Sequence, residues 1–160
     1  MKRILLLALG LLLLASTALA KDVQKQLPGD LTLDEARTVL DAALAKARAQ
    51  GVPMNIAVVD AGGNLKAFVR QDGAFIGSID VSTKKAITAR YFNMSSADLG
   101  AAAQPGKELF GIEATNGGLV IFGGGELLIR DNVIVGAIGV SGGSVAEDTN
   151  VAKAGAAAIK

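Results

Sequence analysis

Apolar residues recur every three or four positions from Leu33: Ala36, Leu40, Ala43, Leu44 and Ala47 continue one stripe. Asp34, Arg37, Asp41, Lys46 and Arg48 take much of the opposite face, so the period predicts an amphipathic helix. Thr32, with Glu35 three residues on, forms a capping box at its start, and Gly51 and Pro53 stop it. The period then shortens to two. An Ile- and Val-rich strand is expected over 54–60, a turn through Asp60-Ala61-Gly62-Gly63-Asn64, and a second strand over 65–71. In that second strand Leu65, Ala67 and Val69 alternate with Lys66, Phe68 and Arg70, as in a sheet covered on one face and partly open on the other.

Helical spacing returns over 78–92, with Ile79, Ala86, Ile87 and Ala89 as the apolar positions. Ser95-Ser96-Ala97-Asp98 opens a short helical stretch ending near Pro105-Gly106. Nine of the 20 glycines then fall between Gly117 and Gly143. Among them stand three short apolar runs, at 119–122, 127–130 and 133–140, each read as a strand. Asp131-Asn132 joins the last two as a two-residue hairpin turn. An Ala-rich helix over 145–159 closes the chain. Helix, two strands, helices, three strands, helix is a grouped order without strand–helix alternation, which predicts an α+β domain with an antiparallel sheet.

The first 20 residues stand apart. Lys2-Arg3, an apolar run of about a dozen residues and Ala18-Leu19-Ala20 read as a secretory signal peptide cleaved after Ala20, too short for a comfortable membrane span. The expected organisation is a signal at 1–20, a polar N-terminal arm at 21–31 and a single domain at 32–160, exported to the periplasm or secreted. Losing Lys2 and Arg3 takes the 16 bases to 14 against 15 acids. A near-neutral mature domain lacks the footprint of a nucleic-acid binder, and no membrane association is expected after cleavage.

Two absences narrow the chemistry. With no Cys there is no thiolate for catalysis or metal binding. With no His there is no imidazole base, no His-ligated haem and no Ser-His-Asp triad. Gly139-Val140-Ser141-Gly142-Gly143 matches the nucleophile-elbow pattern G-x-S-x-G, but without histidine its serine retains only a pairing with a lysine such as Lys85. A glycine turn leading from a strand into the last helix is the simpler reading. Gly123-Gly124-Gly125 lacks the Lys-Ser/Thr of a P-loop and reads as a hairpin loop or a close backbone approach to a ligand or neighbouring subunit. Glu147 and Asp148, near a helix start, are expected to serve its dipole.

The order of motifs is itself informative. Val58-Val59-Asp60-Ala61-Gly62-Gly63-Asn64-Leu65 is followed by Arg70-Gln71-Asp72-Gly73-Ala74, Ser78-Ile79-Asp80 and Lys85-Ala86. Phe122 to Gly125, the glycine-rich stretch from Val135 to Gly143, and Glu147-Asp148 come after. Over about residues 31–157 this series resembles the GlcG/HbpS-like family of haem-binding or haem-degrading domains, also found at the C-terminus of PduO-type cobalamin adenosyltransferases. The resemblance implies a profilin-like fold, a five-stranded antiparallel sheet with the first and last helices packed on it. It also implies homo-oligomers, commonly octamers, and haem or a related ligand. Arg70, Asp72, Gly73, Ser78 and Lys85 match the family's central motif and carry over as pocket or fold-defining residues; Ser95 stands where relatives place a small hydroxyl.

Some relatives ligate haem iron through a histidine, which this chain does not have. Tyr91 and Met94 are then its candidate axial ligands, and Arg70 or Lys85 the candidate partners of a propionate. Gly123 and Gly124 are candidate points of backbone approach. The first reading is an exported, non-catalytic oligomer that binds haem or another tetrapyrrole. The second is an enzyme, degrading haem oxidatively or acting on a small carboxylated metabolite through Lys85 and Asp72. The third is a structural oligomer with a vestigial pocket.

Overall fold

The computed structural model describes residues 29–159. The expected signal peptide and most of the expected N-terminal arm lie outside the described residues. Helix α1, Leu33–Gln50, begins with the expected box: Glu35 N–H donates to the Thr32 hydroxyl and the Thr32 N–H donates to the Glu35 carboxylate. It ends on Gly51, whose φ of 70° is the left-handed cap that glycine adopts without strain. Its buried line is Ala36, Val39, Ala43 and Ala47, while Leu33 at the rim stays exposed.

Strands β1 (Asn55–Asp60), β2 (Leu65–Arg70), β3 (Gly125–Arg130) and β4 (Val133–Ser141) form one antiparallel sheet in the order β2-β1-β4-β3. Asp60 shapes the β1–β2 turn by accepting from the N–H groups of Gly62 and Asn64. The β3–β4 hairpin turns on Asp131 and Asn132 with φ of 50° and 62°, the positive angles expected of a two-residue turn.

One predicted strand is missing, so the sheet has four strands, not five. Residues 119–122 run across helices instead. Val120 N–H donates to the Thr88 hydroxyl, Leu119 N–H to the Glu113 carbonyl, and the Phe122 carbonyl accepts from Ser96. Side chains and a turn supply the partners that a neighbouring strand would have given. A short apolar run needs its polar backbone satisfied, and helices can do that as well as a sheet.

Helix α2 is Ser78–Phe92, α3 is Ser96–Ala102 capped by Ser95, and α4 is Val145–Ala156, three residues shorter than predicted. α1 and α4 cover one face of the sheet, enclosing Val39, Ala43, Ile56, Val58, Leu128, Ile138, Val140 and Val151. Each fully buried aliphatic of that size contributes about 1.5–3 kcal/mol. α2 covers the other face through small residues: Ala86 and Ala89 meet Val59 and Ala137. There a Cβ on Gly139 would fall 2.0 Å from the Ser82 carbonyl oxygen, so glycine is what lets α2 lie this close to β4.

Candidate functional site

The residues picked out by sequence sit in three places along α2. Ser78 and Tyr91 are separated by thirteen helical steps, about 20 Å at 1.5 Å each. Arg70, Asp72, Gly73 and Ser78 belong to the end where β2 leads into the helix. Tyr91, Met94 and Ser95 belong to the other end. Lys85 lies between, under Gly124 and Gly125, whereas Gly123 packs against Thr149 and Val145 of α4.

At the first end, the loop after β2 is tied to the chain before β1. Gln71 N–H donates to the Met54 carbonyl at 3.1 Å, Met54 N–H donates to the Gln71 side-chain oxygen at 3.0 Å, and the Asn55 amide donates to the Phe75 carbonyl. Gly73 turns with φ of 84°. Arg70 and Asp72 are exposed on this braced loop, and Phe75 and Ile76 beyond them are the most exposed large apolar side chains described. At the far end the Tyr91 ring lies over Gly63 of the β1–β2 turn, where a Cβ would come within 2.4 Å of the ring. Tyr91 is 50% exposed and Met94 36%, so neither residue is enclosed in the core. The Ser95 hydroxyl caps α3, accepting from Asp98 N–H and donating to its carboxylate.

The middle holds the strongest electrostatics. Lys85 has no exposed surface; its Nζ donates to Asp148 Oδ2 at 2.7 Å and to the Val140 carbonyl at 2.9 Å, with the Phe122 ring centroid 4.8 Å away. The other Asp148 oxygen accepts from Gly143 N–H at 2.9 Å. Burial pushes the Lys85 ammonium below its ordinary range, and the Asp148 carboxylate pulls it partly back. Gly124, with φ of 113°, passes so close that a Cβ would lie 2.7 Å from Lys85 Nζ. The triple glycine therefore admits the Lys85 side chain; it follows a helix-packed segment and opens β3, where a loop between two strands was expected.

Four sequence expectations change accordingly. Lys85 faces no solvent in this chain, so it presents no amine to a propionate or a metabolite. It also does not meet Asp72, which stands exposed beyond the opposite edge of the sheet. Nor does it bond the Ser141 hydroxyl, since it takes the preceding carbonyl; Ser141 ends β4 and Ser144 caps α4, so the G-x-S-x-G stretch is the strand-to-helix turn. Asp148, expected to serve the helix dipole alongside Glu147, does stand with it in the first turn of α4, but its carboxylate is buried and bonded to Lys85 and the Gly143 N–H. Hydrogen bonds from the Ser144 backbone and hydroxyl hold the Glu147 carboxyl below its usual range. The helical step of about 100° turns the next residue, Asp148, inward to Lys85.

The model for "Haem degrading protein HbpS-like" matches residues 31–157. The chain belongs to the HbpS-like family. It is 41% identical over 124 residues to an uncharacterized 15.0 kDa protein of the dhaT-dhaS intergenic region of Citrobacter freundii, covering 77% of this chain and 87% of that one. It is 37% identical to the corrinoid adenosyltransferase PduO of the same organism over 81% of this chain, and spans about two fifths of the length of that relative. Among solved structures, the PduOC:heme complex superposes with a TM-score of 0.78 at 35% identity, covering 82% of this chain and 96% of that one.

Proposed function

We propose that this protein is an exported, oligomeric binder of haem or a related tetrapyrrole. The observation that carries the reading is the likeness, over nearly the whole domain, to a structure determined with haem. The residues at hand fit the group chemically. Among the described residues no cluster of three His, Cys, Asp or Glu side chains could hold a metal ion. With no His or Cys in the sequence, iron ligation falls to the phenol of Tyr91 or the thioether of Met94, both established haem donors. The other mode needs no protein ligand to iron: the macrocycle rests on apolar side chains and a propionate meets Arg70. The two ends of α2 lie farther apart than a haem iron and its own propionates, so one chain uses one mode, and both together would need two protomers.

Bound haem supplies redox-active iron; this chain's part is to hold and shield it. Assembly into a closed homo-oligomer, an octamer or a smaller even-numbered form, would cover Phe75, Ile76, Phe110 and Phe122, each at least 46% exposed. Light scattering at micromolar concentration is expected to give a multiple of the chain mass, and a monomer would remove that part of the proposal. The ligand is tested by haem titration of the wild type beside Tyr91→Phe, Met94→Ala and Arg70→Gln. A shifted Soret maximum in either of the first two supports ligation. Weaker binding with an unchanged spectrum in the third supports the propionate contact. Non-saturating uptake by the wild type would overturn the haem reading.

A further inference from the structure

A groove of about 370 Å³ opens between the last turns of α1 and the end of β2, lined by Leu44, Arg48, Val69, Arg70, Gln71 and Asp72. Its volume falls in the lower part of the range of small-molecule sites. Among the described residues neither Arg48 nor Arg70 has a carboxylate within 4.0 Å, and Asp72 has no cation within that distance. Lys46, Arg90, Lys107 and Lys153 are likewise without a carboxylate among the described residues; what sets Arg48 and Arg70 apart is that they share one groove with Asp72. Arg48 stands in the last turn of α1, where a cation complements the helix dipole. That accounts for one arginine, and leaves the second arginine and the carboxylate on the same rim without an internal partner.

The backbone of the rim is also rigid. The double tie between Gln71 and Met54, the Ala74 N–H to Gln71 carbonyl turn and the Asn55–Phe75 bond hold the Arg70-to-Asp72 segment in place. These ties hold the backbone that carries Arg70 and Asp72, while the exposed side chains of Arg48, Arg70 and Asp72 are ordered only by the ligand. Leu44 and Val69 add apolar surface among the charges.

We propose that this groove binds an acidic amino acid. Two cations and one anion are complemented by two carboxylates and one ammonium: the carboxylates fall to Arg48 and Arg70, the ammonium to Asp72, and the methylenes between them to Leu44 and Val69. The net single positive charge of the rim suits a ligand of net charge −1, and Asp72 disfavours a phosphate dianion. The groove shares Arg70 with the propionate contact proposed above but does not rest on it, because its ligand and its readout are different and Arg48 and Asp72 belong to the groove alone.

The test is calorimetric titration of the full chain with glutamate, with glutarate (which lacks the ammonium) and with inorganic phosphate at matched ionic strength. Saturable glutamate binding is expected, tighter than glutarate and tighter than phosphate. Arg48→Gln or Arg70→Gln should weaken it about ten- to a hundredfold, the range for losing a hydrogen bond to a charged group. Asp72→Asn should abolish the preference for glutamate over glutarate, while Arg37→Gln, on the same helix but outside the groove, leaves binding unchanged. Circular dichroism confirms that these surface variants remain folded. No saturable glutamate binding, equal affinity for phosphate, or an equal loss in Arg37→Gln would overturn the proposal, whatever the haem titration shows.

Discussion

Removing the Lys85 ammonium tests whether the Lys85–Asp148 pair holds α2, the end of β4 and the start of α4 together. In Lys85→Met the stem stays but both of its hydrogen bonds go. The Asp148 side chain, 3% exposed, keeps only the Gly143 N–H as donor, and the Val140 carbonyl loses a partner. Breaking a buried pair from one side costs about 3–5 kcal/mol, because the remaining charge is desolvated without compensation. With a urea m-value of about 2 kcal/mol/M for a domain of this size, the midpoint should fall by about 2 M at unchanged m. Replacing both partners, as Lys85→Met with Asp148→Leu, removes the orphaned charge and leaves chiefly the Gly143 N–H unsatisfied, about 1–3 kcal/mol. The double variant should therefore be more stable than either Lys85→Met or Asp148→Leu alone, measured at one protein concentration so that assembly does not shift the midpoint. If Lys85→Met loses less than about 1 kcal/mol, or if the double variant is as unstable as the sum of the singles, the pair is not what fixes these elements.

Gly139→Ala would place a methyl 2.0 Å from the Ser82 carbonyl oxygen and 2.5 Å from the Ala86 nitrogen; pushing α2 off the sheet should cost about 1–3 kcal/mol or more by denaturant melt, and an unchanged midpoint would mean that the helix has slack. Glu35 is held below its ordinary carboxyl range first by the Thr32 backbone hydrogen bond, opposed by burial and reinforced by Arg130, so its stabilisation is present above pH 4.5 and lost as pH falls through the lower folded value. Wild type should therefore exceed Glu35→Gln in stability at pH 7, with the gap closing on acidification; a gap that persists at the lowest pH would assign the effect to packing. Protein recovered from the periplasm should show by intact mass a terminus at Lys21, and full-length chain retained in the membrane fraction would refute cleavage after Ala20.

Local rules made most of the fold legible. Thr32 with Glu35, Gly51 with Pro53, and Asp131-Asn132 each act within a few residues, and each stands in the structure where its chemistry puts it. The failures are contacts at a distance. Leu119 to Phe122 has the composition of a strand, but its partners Thr88 and Ser96 come from elsewhere in the chain, and no periodicity in four residues could tell the two outcomes apart. The buried pair left a signal that a stripe analysis could have used. Ser82, Lys85, Ala86 and Ala89 fall at i, i+3, i+4 and i+7, as do Asp148, Val151, Ala152 and Gly155, and all eight are buried. Each apolar stripe thus carries one charge, of opposite sign, and a charge at such a position needs a buried partner. Assigning both Glu147 and Asp148 to the helix dipole concealed this, although adjacent helical side chains point about 100° apart. The same separation gives one residue to the Ser144 cap and the other to the core. What remained outside reach was the separation of the motif residues from the candidate iron ligands at the two ends of α2: Arg70 to Ser78 and Tyr91 to Ser95 are close in sequence, yet a helix of fifteen residues holds them apart. A stretch continuous in sequence became two surfaces, so each must be tested with its own ligand.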